Sequence, residues 1–202
     1  MLDEIGLRYA LDDFGKGKKY VGGDKTSLGL GFTIHYEKLF NDIKEQKLMV
    51  LELGVFHGKS LAMWCDYFPN SMIHGIDINL SYFNEQKLRK LGAFSKDNFK
   101  LIQVDITSKD FIDIVQSLNN FNIIIDDANH KADVQYNNFI LLFDKVVSGG
   151  YYIIEDIVEP DKFYSNFKDI IIGSISDKSK SKYKNKISNI EIHENLFIIK
   201  KK

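Results

Sequence analysis

From Leu48 onward, short apolar runs alternate with amphipathic stretches, and this alternation limits the fold more than any other feature of the chain. Residues 49–53 read as a buried strand that ends in a glycine turn, and residues 60–68 as a helix stopped by Pro69. The pattern repeats with strands at 72–78, 99–104 and 121–125 and helices at 83–91, 109–118 and 132–146. Gly149-Gly150 is expected to turn the chain into a fifth strand at 151–154. Strands that alternate with helices predict an α/β fold with a mostly parallel sheet and helices on both faces. Residues 190–192 and 196–200, with His193-Glu194-Asn195 between them, read as a closing antiparallel hairpin, which makes seven strands.

The ends depart from this rhythm. Residues 1–40 are rich in glycine and charge and are expected to lie across the core as a loop and helix. Residues 161–186 are lysine- and serine-rich, consistent with a helix followed by a loop. We therefore expect an N-terminal lid or arm over 1–44 and one main domain over 45–202. A lid could use Tyr20, Phe32 and Tyr36 to cover a ligand, whereas a packed arm would bury them. At 202 residues the chain can bury a sizeable core.

Net charge is -1, so no overall field favours nucleic acid or an anionic membrane. Lysines cluster at Lys16–Lys19 and between Lys178 and Lys202, which reads as solvated surface. The single cysteine, Cys65, excludes an internal disulfide framework and is expected to be a buried thiol. The start, Met-Leu-Asp-Glu, lacks the basic and apolar regions of a signal peptide, and no apolar run could span a bilayer, so a cytoplasmic protein is expected.

The most informative segment is Glu52-Leu53-Gly54-Val55-Phe56-His57-Gly58-Lys59-Ser60. Its glycines are spaced G-x-x-x-G, not the G-x-G-x-x-G of dinucleotide enzymes, whose pyrophosphate needs close backbone approach at a helix N-terminus. Neither Gly15–Lys19 nor Gly23–Thr26 matches a phosphate-binding G-x-x-x-x-G-K-[ST] loop, and no apolar strand precedes them. Asp77, in Gly75-Ile76-Asp77-Ile78, ends the second strand, where an acid can accept from both ribose hydroxyls or simply cap a turn. Asp105 ends the third strand and could accept from an adenine amino group. Glu52, Asp77 and Asp105, at three successive strand ends, describe an adenosine site without phosphate, as S-adenosylmethionine requires.

The fourth strand delivers Asp126-Asp127-Ala128-Asn129-His130 into its following loop, and the fifth ends in Glu155-Asp156. Adjacent parallel strands lie about 5 Å apart, so these acids can converge. Converging carboxylates repel unless a cation or proton intervenes, and their hard oxygens suit Mg²⁺ or a similar divalent ion. Helix capping is the competing explanation. His130 is a candidate general base, since a neutral imidazole is available at pH 7. His74, inside a strand, is expected to be a core histidine, and His57 to shape the glycine loop. His35 and His193 are poorer candidates.

These segments together resemble the metal-dependent sugar O-methyltransferases of the mycinamicin and macrocin type, which adjoin the cephalosporin hydroxylase family. The likeness rests on the residues from Leu51 to Leu61, Met63-Trp64 with Tyr67-Phe68-Pro69, Gly75 to Ile78, Ile125-Asp126-Asp127 with His130, and Ile154-Glu155-Asp156. Asp24-Lys25, Gly31-Phe32-Thr33, Tyr36-Glu37 and Leu39-Phe40 match more weakly. The resemblance implies a Rossmann-like class I methyltransferase fold, metal ligation by Asp127, Glu155 and Asp156, and His130 as base. On this basis the cofactor-binding set is expected to be Glu52, Gly54, Gly58, Ser60, Asp77, Ile78, Asp105 and Asp126. The chain departs from the family where Asp-Asp-Gly-Ser-His becomes Asp-Asp-Ala-Asn-His, where a tyrosine becomes Phe32 and where a second histidine becomes Val134.

The expected reaction is methyl transfer from S-adenosylmethionine, with Mg²⁺ or another divalent cation, to a sugar hydroxyl in surface (capsular) polysaccharide or nucleotide-sugar biosynthesis. Alternatives are a phosphate-derived or phosphoramidate oxygen on a capsule, a hydroxylase-like oxidative enzyme, and a non-catalytic adenosyl-binding subunit. The expected partner is a small-molecule or saccharide acceptor, with no nucleic acid or membrane; a homo-oligomer is compatible with the sequence.

Overall fold

The computed structural model of the chain describes residues 1–10, 23–175 and 181–202. The strands are β1 (Met49–Leu53), β2 (Met72–Asp77), β3 (Phe99–Gln103), β4 (Phe121–Asp126), β5 (Val146–Glu155), β6 (Ile187–His193) and β7 (Leu196–Lys201). The helices are α1 (Leu2–Ala10), α2 (Thr33–Phe40), α3 (Lys59–Tyr67), α4 (Glu85–Lys90), α5 (Lys109–Ser117), α6 (Ala132–Leu142) and α7 (Pro160–Ile175). The strands follow the order β3-β2-β1-β4-β5-β7-β6 in a seven-stranded sheet. The β2–β3, β1–β4 and β4–β5 pairs are parallel, and β7 pairs antiparallel with both β5 and β6. The expected mostly parallel sheet with a C-terminal antiparallel hairpin is therefore present. Among the described residues no helix is long and apolar enough to cross a membrane.

The chain divides into two compact units, Met1–Leu48 with Val55–Gln103, and Met49–Gly54 with Val104–Lys202. In the first, α2 carries Tyr36 and Phe40 four residues apart, on one face of the helix. Their rings meet Trp64 of α3 edge-on, with centroids 5.2 and 6.5 Å away, and Phe68 lies 5.7 Å from Phe40. All four side chains are fully buried. Asp3 of α1 fastens the intervening segment by accepting from Ser27 N at 2.8 Å, Ser27 Oγ at 2.6 Å and Thr33 Oγ1 at 2.7 Å. Burial raises the Asp3 pKa, but these hydrogen bonds outweigh it and hold the carboxyl below its usual value. Tyr36 thus belongs to a packed layer, and Phe32 is buried. Tyr20, Lys16–Lys19 and the first glycine-lysine segment lie outside the described residues, as do Lys178 and Lys180. Cys65 and His74 are buried, as expected.

In the second unit, parallel register aligns Leu53 of β1 with Asp126 of β4, and Asp126 with Ile154 of β5. The carboxyl ends of three neighbouring strands therefore share one level. Asp127 N donates to Leu53 O at 2.9 Å just beyond them. Gly54 follows with φ +90°, and an added Cβ there would collide with the Asp127 carbonyl oxygen and lie 3.1 Å from Ala128 Cα.

Several boundaries differ from the sequence reading. β5 begins at Val146 and runs through Gly149-Gly150 instead of following a turn there. A Cβ at Gly150 would sit 2.6 Å from the Asn122 carbonyl oxygen, and the β4–β5 register shifts between Phe121 and Ile123. Gly150 thus permits close strand approach at an irregular register, and Gly149 is left-handed at φ 77°. The fourth helix also starts later than predicted, because the Asn84 side chain accepts from Lys87 N at 3.0 Å and caps it. The helix predicted to reach Val146 ends at Leu142 and is followed by a 3₁₀ turn, Phe143–Lys145.

Two stability measurements follow. Tyr36→Ala should cost about 3 kcal/mol or more, as for other buried aromatics, visible in the urea midpoint; an unchanged midpoint would mean that α2 is not part of the packed core. Gly54→Ala should cost about 1–3 kcal/mol from backbone strain alone, with a further loss from the collision. Wild-type stability in that variant would refute the close approach of Gly54 to Asp127.

Candidate functional site

Within the first unit the glycine loop is built around Asp77. Its Oδ2 accepts from Val55 N at 2.7 Å and Phe56 N at 2.9 Å, and its Oδ1 accepts from Asn79 N at 2.8 Å. One carboxylate at the end of β2 thereby fixes the turn that leads into α3. Gly58 caps α3 in the left-handed region at φ 80°, with Ser60 half-buried in the first helical turn. Phe56 is also left-handed at φ 47° and 43% exposed; its ring lies 3.9 Å from that of His57. His57 Nδ1 meets Tyr82 O at 3.2 Å, which fits the expected loop-shaping role. Ile78 is exposed immediately beyond β2.

In the second unit, Asp105 sits in a local turn. Its Oδ1 accepts from Thr107 N at 2.8 Å and Thr107 Oγ1 at 2.7 Å. The Thr107 backbone and hydroxyl bonds hold its carboxyl below the usual range. Glu52, on β1, is fully buried. Asp126 is also fully buried and accepts from Asn138 Nδ2 at 3.0 Å and Tyr152 Oη at 3.4 Å. Burial pushes the Asp126 carboxyl up to about 7, against the lowering effect of its hydrogen bonds with Asn138, the Ala128 N–H and Tyr152. Burial likewise raises the Tyr152 hydroxyl, reinforced by the neighbouring Asp126. Asp126 thus supports the end of β4 from inside.

The residues just beyond β4 and β5 face a common point. Asp127, His130 and Asp156 each offer one donor atom, and the three atoms lie within 4.8 Å of one another. All three residues are half-buried, and His130 Nε2 is 4.0 Å from Asp156 Oδ2. His130 Nδ1 is buried without a hydrogen-bond partner among the described residues. His130 and Asp156 adopt left-handed backbone conformations, at φ 61° and 53°. Such conformations cost about 1–3 kcal/mol and persist where the surroundings over-determine them, a pattern frequent at functional sites. The two carboxylates at this spacing fit a hard divalent cation, with the imidazole beside them.

Glu155 is not in this group; it is buried at the end of β5, where its carbonyl accepts from Gln135 Nε2 at 2.8 Å. Gln135 and Asn138, one turn apart on α6, were not foreseen as contributors. Their signal was present as two polar positions within the buried stripe of a helix that also buries Ala132, Phe139 and Leu142.

The chain is similar to known methyltransferases. Mycinamicin VI 2''-O-methyltransferase of Micromonospora griseorubida is 36% identical over 135 residues, 62% of this chain and 31% of the relative. Demethylmacrocin O-methyltransferase of Streptomyces fradiae is 30% identical over 134 residues, again 62% of this chain and 31% of the relative. The chain thus spans less than half the length of either. Among solved structures, a methyltransferase from the mycinamycin biosynthetic pathway, in complex with Mg and SAH, superposes with a TM-score of 0.72 at 26% identity, covering 99% of this chain and 54% of that one. The model of the Methyltransferase domain family matches residues 51–157, which contain the glycine loop, Asp77, Asp105, both acid pairs and His130. The chain belongs to the Methyltransferase domain family.

Proposed function

We propose that the chain is an S-adenosylmethionine-dependent, divalent-metal-assisted O-methyltransferase that acts on a sugar hydroxyl. The observation that carries this reading is the convergence of Asp127, His130 and Asp156 beyond the carboxyl ends of two parallel strands, where open α/β sheets bind ligands. The solved relative in complex with Mg and SAH supports both cofactors, and another structure of it also holds mycinamycin VI. The rhamnosyl and olivosyl groups in the names of two further relatives support a glycosidic acceptor, and we propose that this acceptor belongs to surface polysaccharide or nucleotide-sugar biosynthesis within the cytoplasm.

Each residue then has a task. Asp77 orders the glycine loop through Val55 and Phe56 and keeps acceptor capacity for ribose hydroxyls, while Asp105 serves the adenine. Glu52, Gly54, Gly58, Ser60, Ile78 and Asp126 complete the proposed cofactor-binding set. Asp127 and Asp156 hold the cation, with Glu155 as the third acid that family likeness implies. The cation, when bound, supplies positive charge that makes an acceptor hydroxyl easier to deprotonate. His130 receives that proton at Nε2, the nitrogen 4.0 Å from Asp156 Oδ2, since Nδ1 is buried. When bound, S-adenosylmethionine would supply the methyl from its already activated sulfonium to the acceptor oxygen and leave as S-adenosylhomocysteine, so no covalent enzyme intermediate is needed. A hydroxylase reading fits less well, since one histidine and two carboxylates do not make a 2-His-1-carboxylate iron site.

Incubation of the purified chain with S-adenosylmethionine and a panel of glycosides should yield products heavier by one methylene, detected by mass spectrometry. Chelator should abolish turnover and Mg²⁺ restore it; full activity in excess chelator would remove the metal role. His130→Ala should lower kcat by about 10²-fold or more with little change in affinity for S-adenosylhomocysteine. Near-normal turnover in that variant would show that His130 is not the base.

A further inference from the structure

The loop that carries Asp127 and His130 leads into α6, and the loop that carries Asp156 leads into α7. For the three side chains to present their donor atoms together, these two loops must keep a fixed separation. α6 begins without a cap of its own: Lys131 stands at its N-cap position and offers no side-chain acceptor to the first-turn N–H groups. The acceptor comes instead from the other loop, where Glu159 Oε2 accepts from Ala132 N at 3.0 Å. The backbone carbonyl of the same Glu159 accepts from Phe163 N at 2.8 Å and so closes the first turn of α7, with Pro160 at the position where proline suits a helix start. One residue thus terminates two helices, one through its side chain and one through its backbone.

A second tie runs in the same direction. Gln135, in the first turn of α6, is buried and donates from Nε2 to Glu155 O at 2.8 Å. The α6 side therefore donates both bonds, one to the residue before Asp156 and one to the residue three positions after it. His130 and Asp156, both held at left-handed φ, lie between these anchors and the strand ends. The nearby Lys162–Asp133 pair at 2.6 Å joins α6 to α7 as well, but both side chains are about half exposed, where an ion pair contributes little.

We propose that Glu159 and Gln135 are positioning residues that set the distance between the Asp127–His130 loop and the Asp156 loop, and thereby the affinity of this site for a divalent cation. The inference rests on the metal-assisted reading above and extends it to residues outside the ligand group. An anionic acceptor at a helix N-terminus also gains from the helix dipole, so Glu159 is a stronger clip than a neutral cap. Partners that orient metal ligands typically alter affinity by about 10–100-fold when removed.

The test measures Mn²⁺ binding to the chain by electron paramagnetic resonance of free Mn²⁺, without methyl donor or acceptor, alongside urea unfolding. Glu159→Ala and Gln135→Leu should each weaken Mn²⁺ binding by about 10-fold or more, while Glu159→Gln, which keeps an acceptor oxygen, should recover most of it. Asp127→Asn serves as the control that removes a ligand. If Asp127→Asn abolishes binding and Glu159→Ala and Gln135→Leu bind like wild type, the positioning role is overturned and the metal reading stands. If the wild type takes up no Mn²⁺, both fall. Should Glu159→Ala lose only stability, with unchanged affinity in the folded fraction, Glu159 is a helix cap and nothing more.

Discussion

The arrangement of the second unit depends on parallel pairing. Because β1, β4 and β5 run the same way with Leu53, Asp126 and Ile154 at one level, every loop that follows them leaves from the same edge. Antiparallel neighbours would have sent alternate loops to opposite edges. Asp127, His130 and Asp156 can meet only because two such loops emerge side by side. The last pairings, β5–β7 and β6–β7, are antiparallel, and the His193-Glu194-Asn195 turn brings no donor into the candidate metal group.

Beneath that edge lies a small polar layer inside an otherwise apolar core. Asn138 and Tyr152 both donate to Asp126, and Gln135 reaches the main chain of Glu155. Buried polar groups are costly when unmatched and rigid when matched. The layer fixes α6 rotationally against β4 and β5, because an apolar face alone would tolerate small slippage. With Gly54 pressed against the Asp127 carbonyl on the opposite flank, the Asp126–Asp127 segment is confined from both sides.

Much of this was legible in the amino-acid order. The strand–helix alternation declared the sheet, and Gly54, Gly58 and Asp77 marked their turn because each solves a backbone problem visible in one dimension. Asp127, His130 and Asp156 stood at recognisable strand ends. What could not be read was how side chains cross between loops. Glu159 is one more acid in a polar stretch until Ala132 N is seen against it, and Gln135 and Asn138 become informative only once the helix face is known to be buried. Gly149-Gly150 misled because glycine marks both turns and tight strand contacts, and only the neighbouring Asn122 carbonyl distinguishes the two. Phe32 and Tyr36 were equally consistent with covering a ligand or filling a core; both are buried, and Tyr36 packs edge-on against Trp64 of α3.

The left-handed backbone at His130 and Asp156 has an evolutionary corollary. Few side chains tolerate that region; glycine does so freely, and asparagine, aspartate and histidine are the least penalised of the rest. The alphabet open to these two positions therefore nearly coincides with the vocabulary of metal ligands and proton carriers. Drift at either position is channelled: a descendant that abandons the chemistry can settle on glycine or asparagine and fold at least as well, whereas valine or isoleucine is closed to it. Glycine at both places in a homologous sequence would be the mark of a scaffold that outlived its reaction.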